Sequence, residues 1–509
     1  MYTKQITVAA ISIHLLLGFI SFTHPQTFGP DVPVDKTTPG VVMQWEPNIA
    51  VDSKGTVGVV WVNQTATNYI VMFARSTDKG QTWQKTVVDD SPLIPADAAR
   101  LNPAVVFDTE DNPWVAWQFF IFYGFTYVTV AHSTDGGKTF GPAFEVPQDT
   151  DNIARTIALD KDNTVYLPIR FYGLKCLTLV HGDVHNRNMG QISPPSLSLG
   201  FYPDFQSVGR GTLYVAWEAD STEGSDKDLI YFSKSVDAGS TFSDPVLVSS
   251  GPLEGIYGAS HQHIVIDEIG TIYIVWSDER TGNRDIYLSK STDYGASFFF
   301  EKRVNDITAR NQTWPRVTYT ENSGLSITYC DGSSNRYEDI YFTRSTDKGE
   351  TFTESVIVTD STAREFTQFP FGIAADDSGN VFITYIDLRY QKDLVFVTRV
   401  RFQDVGVEGP PPSTIIPNNF RLWQNHPNPF NTQTIIEYDV PKKGFVSLDI
   451  YNVQGERVQT LVNGFMSSGR YRVSWDGTNE LKIPVASGLY FCRMETDNTN
   501  VTKKLVLIR

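Results

Sequence analysis

Ser345-Thr346-Asp347-Lys348-Gly349-Glu350-Thr351-Phe352 is the stretch whose reading decides the fold. Its form is Ser-x-Asp-x-Gly-x-Thr-aromatic. The same form returns at Ser76 to Trp83, Ser133 to Phe140, Ser235 to Phe242 and Ser291 to Phe298, the last with Ser297 in place of Thr. One copy is a turn: Asp and Ser side chains bond nearby backbone N–H groups, and Gly takes the φ > 0 position. The closing aromatic is expected to pack beneath the hairpin. Alone, each copy is structural; together they set a period. Their aspartates, Asp78, Asp135, Asp237, Asp293 and Asp347, are separated by 57, 102, 56 and 54 residues. The long gap is two periods, so one copy has decayed.

A second marker counts the units. Before each turn lies an apolar strand ending in an aromatic, clearest at Thr271 to Trp276. Equivalents end at Trp61, Trp117, Trp217, Tyr329 and Tyr385, and Val165 to Ile169 fills the gap after Trp117. Each unit reads as four strands; in the first they are Pro47 to Val51, Val57 to Val62, Tyr69 to Arg75 and Thr86 to Val88. The second strand is apolar almost throughout, as suits a strand covered on both faces. Four-stranded units at this period predict an all-β chain built on a β-propeller, with seven blades expected and six as the alternative count. The seventh unit has a poor fourth strand at Phe402 to Asp404. Val41-Val42-Met43 is therefore expected to pair there as the outermost strand, leaving no open edge.

The repeated turn resembles the Asp box, or BNR repeat, of the sialidase superfamily, over residues 40 to 405. That resemblance implies a site with three arginines for a substrate carboxylate, a Tyr–Glu nucleophile and an Asp acid–base. It also implies an arginine in a Phe/Tyr-Arg-Ile-Pro motif at the start of the propeller. Here that region reads Met43-Gln44-Trp45-Glu46-Pro47, and Leu167-Pro168-Ile169-Arg170 is not the motif. No catalytic residue is carried over. The Asp boxes are expected on one face and the loops after the second strands on the other. Candidate ligand-binding residues on the second face are Asp278, Glu279 and Arg280, Asp387 with Arg389, Glu218, Arg170 and Tyr257. Aromatics among scattered charges suit sugars, since rings stack on pyranose faces while charged groups bond hydroxyls. Two readings follow: an exported propeller binding extracellular glycans or glycoproteins without sialidase catalysis, or an exo-acting glycoside hydrolase.

The chain has 509 residues and a net charge of −16, which argues against nucleic acid as a partner. Cys176, Cys330 and Cys492 are odd in number and widely spaced, so neither a disulfide framework nor a metal site is expected, and no cofactor. Lys4 and the apolar run Ile6 to Ile20 read as a signal peptide over residues 1–26, with no transmembrane segment in the mature protein. Gly409-Pro410-Pro411-Pro412-Ser413 lies in a stiff linker over 406–418. Residues 419–509 read as a small Ig-like β-sandwich. Within it, Gln424 to Asn431, Ile450 to Gly455, Trp475-Asp476-Gly477, Ala486 to Tyr490 and the closing Lys503 to Leu507 resemble, in order, a type IX secretion C-terminal sorting domain. FlgD-like Ig domains share several of these blocks. The resemblance implies export across an outer membrane, with the type IX machinery as partner.

Overall fold

The computed structural model describes residues 26–508 apart from 92–97, 122–125, 151–155, 171–173, 180–186, 194–200, 221–227, 250–258, 299, 309, 333–337, 359–369, 388–391, 403–419, 426–427, 432–433, 442–443, 467–468, 480–482 and 497–499. Seven antiparallel sheets follow one another up to Phe402, and each is a blade. Blade 1 is Val41–Val51, Val57–Thr65, Tyr69–Ser76 and Gln84–Asp89, hydrogen-bonded in that order. The first strand of each blade packs beside that of the next, and Pro370–Ala375 of blade 7 closes on Val41–Val51 of blade 1. This is a closed seven-bladed propeller.

The second strands explain the ring's stability. Trp61, Trp117, Trp217, Trp276, Tyr329 and Tyr385 are fully buried, each with apolar neighbours along its strand. Val60, Phe73, Val105, Val115 and Trp117, for example, form one core between blades 1 and 2. Full burial of such a side chain is worth roughly 1.5–3 kcal/mol. In blades 1, 5 and 7 the first and second strands are joined by Asp-x-x-Gly turns; in the first, Asp52 Oδ1 accepts the Lys54 and Thr56 N–H groups at 2.9 and 2.7 Å. Blades 2 and 3 repeat the turn from Asp108 and Asp160, with Asp111 (φ 64°) and Asn163 (φ 57°) replacing the glycine.

Each Asp box also fastens its blade to the one before. In the first box Ser76 Oγ donates to Asp78 Oδ1 (2.7 Å), Gly80 N–H donates to Ser76 Oγ (2.8 Å), and the Thr82 N–H and hydroxyl donate to the two Asp78 oxygens (2.9 and 2.6 Å). The closing aromatic reaches beyond its own hairpin: Phe140 meets Phe73 of blade 1 at 5.4 Å, and Phe298 meets Phe232 of blade 4 at 5.2 Å. The box glycine sits on the same rings, so a Cβ at Gly137 would lie 2.4 Å from Phe73 and one at Gly295 2.0 Å from Phe232. From the preceding blade, Arg75, Lys234 and Lys290 donate to the carbonyls of Gly136, Tyr294 and Lys348 at 3.1, 3.0 and 3.2 Å.

The ring closes differently from the sequence expectation. Val41–Met43 opens the first strand of blade 1, paired with Thr65 and Gln64. The outer strands of blade 7 are Gln26–Phe28 and Val32–Pro33, which pair with Leu394–Phe402. Glu46-Pro47 looks like a strand break but is a bulge, so the apolar run before it continues the same strand. Gln44 locks the seam, donating to the Asp35 carbonyl (3.2 Å) and accepting Val395 N–H (2.7 Å). Blade 7 takes its outer strands from the N-terminal side of the chain. It has no third-to-fourth hairpin and hence no Asp box.

The tail is a sandwich of two sheets. One holds Arg421–Leu422, Thr434–Val440 and Gly469–Trp475; the other holds Arg457–Met466, Gly444–Tyr451, Gly488–Thr496 and Asn500–Leu507. Trp475 is fully buried between them, with the Phe430 and Tyr490 rings at 5.5 and 5.0 Å. Cys176, Cys330 and Cys492 are buried thiols, and burial pushes the Cys176 thiol up to about 12.

Candidate ligand site on the propeller axis

The first strands line the axis, and they share one irregularity. Register slips at Trp45/Asn48, Leu101/Ala104, Phe201/Asp204, Ser260/His263, Thr313/Arg316 and Pro370/Gly372. At four of these bulges a residue other than glycine is left-handed: Glu46 (φ 48°), Asn102 (51°), His261 (58°) and Trp314 (54°). Each such residue costs about 1–2 kcal/mol, and backbone strain of this kind clusters at functional sites. A bulge re-aims its side chain, and those of His261 and Trp314 line the axial cavity.

Side chains hold the bulges in place across blade boundaries. Glu46 accepts the Asn102 N–H at 2.5 Å, and Glu218 accepts the His261 N–H at 3.1 Å. Just beyond each bulge, Asn48, Asp204 and His263 accept the N–H groups of Val105 (3.2 Å), Ile264 (2.9 Å) and Val317 (3.4 Å) in the next blade. Because His263 accepts through Nδ1, its neutral ring carries the proton on Nε2, which faces Asp204 at 3.7 Å. Burial holds the His263 pKa below the usual imidazole value; Asp204 opposes that and Arg316 adds to it.

Asn48, Asp204, His261, His263 and Trp314 border a cavity of about 270 Å³ on the axis, to which all seven blades contribute. One wall is aromatic: the His261 and Trp314 rings lie 3.8 Å apart, centroid to centroid, tilted by 43°. Both are half-buried. Asp204, His263 and Arg316 supply an acceptor, a neutral imidazole and a cation beside it. The arrangement can stack on a ring face and hydrogen-bond polar groups around it.

Of the described residues singled out from the sequence, Glu218 supports the cavity wall through the His261 amide, and the others are not among the cavity's lining. Arg280 is committed to the protein: it pairs with Asp278 (2.5 Å) and Glu301, and lies 4.3 Å over the Tyr287 ring. Asp278 also accepts the Trp276 indole N–H at 3.1 Å. Glu279 pairs with Arg284 (2.6 Å), and Glu218 is buried beneath His261. Asp387 is fully buried at the end of its strand, opposite Leu394. Arg170 ends the second strand of blade 3, opposite Leu174. Arg389 and Tyr257 lie outside the described residues. Arg100, another mouth arginine, is 1% exposed on its side chain and pairs with Asp89 at 2.7 Å. A tyrosine–glutamate pair does occur, Tyr127 with Glu145 in the outer half of blade 2. Burial and that carboxylate push the phenol up to about 12, the reverse of nucleophile activation.

Sequence reasoning missed Asp204, His261, His263, Trp314 and Arg316. A signal was present. Pro47, Pro103, Pro203 and Pro315 each directly precede the residue that pairs with the one before the second-strand aromatic, so they mark the bulge in register.

Residues 425–508 match the family described as "Secretion system C-terminal sorting domain". The tail is a type IX sorting domain. The protein is thereby directed to secretion and the outer cell surface. Among the described residues no helix is long and apolar enough to cross a membrane. No curated protein matches the chain. Among solved structures it is similar to a protein of unknown function from Dyadobacter fermentans (12% identity, 74% of this chain and 99% of that one, TM-score 0.48). It is also similar to the GH93 α-L-arabinofuranosidase of Fusarium graminearum (13%, 74% and 98%, 0.46) and a Hadza microbial sialidase (15%, 70% and 66%, 0.43). The ring of seven blades, rather than these likenesses, assigns the propeller.

Proposed function

We propose that the propeller binds extracellular glycans or glycoproteins at its axial mouth, without sialidase catalysis, and that the sorting domain delivers it to them. The observation that carries the reading is the commitment of mouth arginines among the described residues: Arg100, Arg280 and Arg284 are each paired with a protein carboxylate. A sialidase needs such groups turned to the substrate, and Glu46 stands in the region where the family places its first arginine. A second reading, an exo-acting glycoside hydrolase, draws on Asp204 and His263 facing each other at 3.7 Å in the cavity.

The mature chain, screened on a glycan array and then incubated with a fluorogenic sialoside, tests both. Binding without cleavage is expected. Sialoside cleavage abolished by Arg280→Ala or Arg389→Ala overturns the non-catalytic reading. Hydrolysis of another glycoside abolished by Asp204→Asn favours the second.

A further inference from the structure

We infer that the axial cavity is the recognition site for one uncharged terminal sugar residue, stacked against the His261–Trp314 wall; this rests on the glycan-binding reading above. Three observations select this ligand. The first is shape. At about 270 Å³ the cavity falls just under the roughly 300 Å³ at which drug-sized pockets begin, so it suits a single sugar rather than an oligosaccharide. The second is the wall, two half-buried rings at 3.8 Å on strands of adjacent blades, both held at positive φ. The C–H face of a pyranose or furanose is the chemistry that covers such a surface while leaving hydroxyls at its edge. The third is charge. Among the described lining residues Arg316 and Asp204 offset each other around neutral His263, leaving no surplus cation. The chain's net charge of −16 further disfavours an acidic sugar.

The wall has its own support. Glu218 fixes the His261 amide and Ser260 Oγ contacts His261 Nδ1 at 3.0 Å, so backbone and ring are both oriented before ligand arrives. Such preorganisation reduces the ordering cost of binding. Glu218 is accordingly a positioning residue for the wall.

The test is titration calorimetry of the mature chain with methyl glycosides of galactose, glucose and arabinose, and with glucuronic acid and N-acetylneuraminic acid. Trp314→Asn removes the ring while keeping a side chain that tolerates φ > 0. Binding of at least one neutral glycoside is expected, with affinity falling at least roughly tenfold in Trp314→Asn at an unchanged melting temperature. His261→Asn takes the same measurement from the other half of the wall should Trp314→Asn unfold. Preference for either acid overturns the uncharged-sugar assignment. Neutral-sugar binding untouched by both variants moves the site elsewhere and leaves the glycan reading standing. An array with no bound glycan overturns both.

Discussion

On one face of the ring five Asp boxes close five hairpins with one set of bonds: Ser and Thr (Ser297 in blade 5) donate to the aspartate, and the Gly N–H donates to the Ser hydroxyl. On the opposite face, loops of the same blades share no residue pattern: blade 5 carries Asp278 to Arg284, and blade 2 carries Phe119 and Phe120. The boxes lie on the preceding blade's third strand, through glycine on ring and cation on carbonyl. Their repetition reports a packing problem solved once and reused. Among the described residues the mouth loops share no such repeated contact, and their sequences diverge; the strained bulge residues His261 and Trp314 line the axial cavity. Repetition marks what holds the ring; its failure marks where the blades are free to differ.

The sharpest way to break this contrast is to place a methyl group on the box face. Gly295 has φ 78°, and its Cβ would lie 2.0 Å from the Phe232 ring, which is fully buried against Phe298. Gly295→Ala combines left-handed strain with overpacking, and should cost about 2–5 kcal/mol. A denaturant midpoint unchanged from wild type would show that the boxes do not clamp the blades.

A somewhat smaller loss is expected from Arg280→Ala on the mouth. Removing this guanidinium takes the ion pair from both Asp278 and Glu301, at about 2–4 kcal/mol. Ligand affinity of the folded fraction should stay within twofold or so, because the arginine already serves the blade. A selective loss of glycan binding at normal stability would instead turn Arg280 toward the ligand.

Acid should distinguish the faces as well. Hydrogen bonds from the Thr139 hydroxyl and N–H, with Ser133 and Lys138 N–H, hold Asp135 at about 2 against the ordinary 3.8. A carboxylate depressed on folding stabilises when ionised. Its contribution is complete above about pH 4 and disappears as pH falls toward 2. Asp135→Asn should therefore melt below wild type at pH 7, with the gap closing between pH 4 and 2. A gap independent of pH would remove the charge from the explanation.

The boxes were legible in the sequence because their bonds span only two to four residues, so the residue types must appear together in the chain. The second-strand aromatics were legible because burial on both faces leaves an unbroken apolar run. The cavity was not. His261, Trp314 and Asp204 come from three blades, and what brings them together is the closure of the ring. The strap Gln26–Phe28 was hidden for a related reason: its partner, Phe402, lies at the other end of the propeller, and nothing local in three residues records that pairing. Arg280 was legible as a charge at a loop, but its partner Glu301 sits two strands away, so its commitment to the blade was not.

The smallest expected effect is the control for all of these. Gly282 lies in the mouth loop of blade 5, at φ 94°, with no atom within 4 Å of where a Cβ would stand. Its N–H donates to the Glu279 carbonyl at 2.9 Å, a bond that alanine keeps. Gly282→Ala thus carries the same kind of left-handed strain as Gly295→Ala with no steric contact added. About 1 kcal/mol should be lost, part of the strain being offset by the stiffer unfolded chain. The difference between the two alanine variants then isolates the contact with Phe232. If both lost equal stability, strain would account for everything and the box glycine would have no role in seating one blade on the next. If Gly282→Ala lost more, the mouth loop of blade 5 would be the more tightly packed of the two faces, and the contrast would reverse.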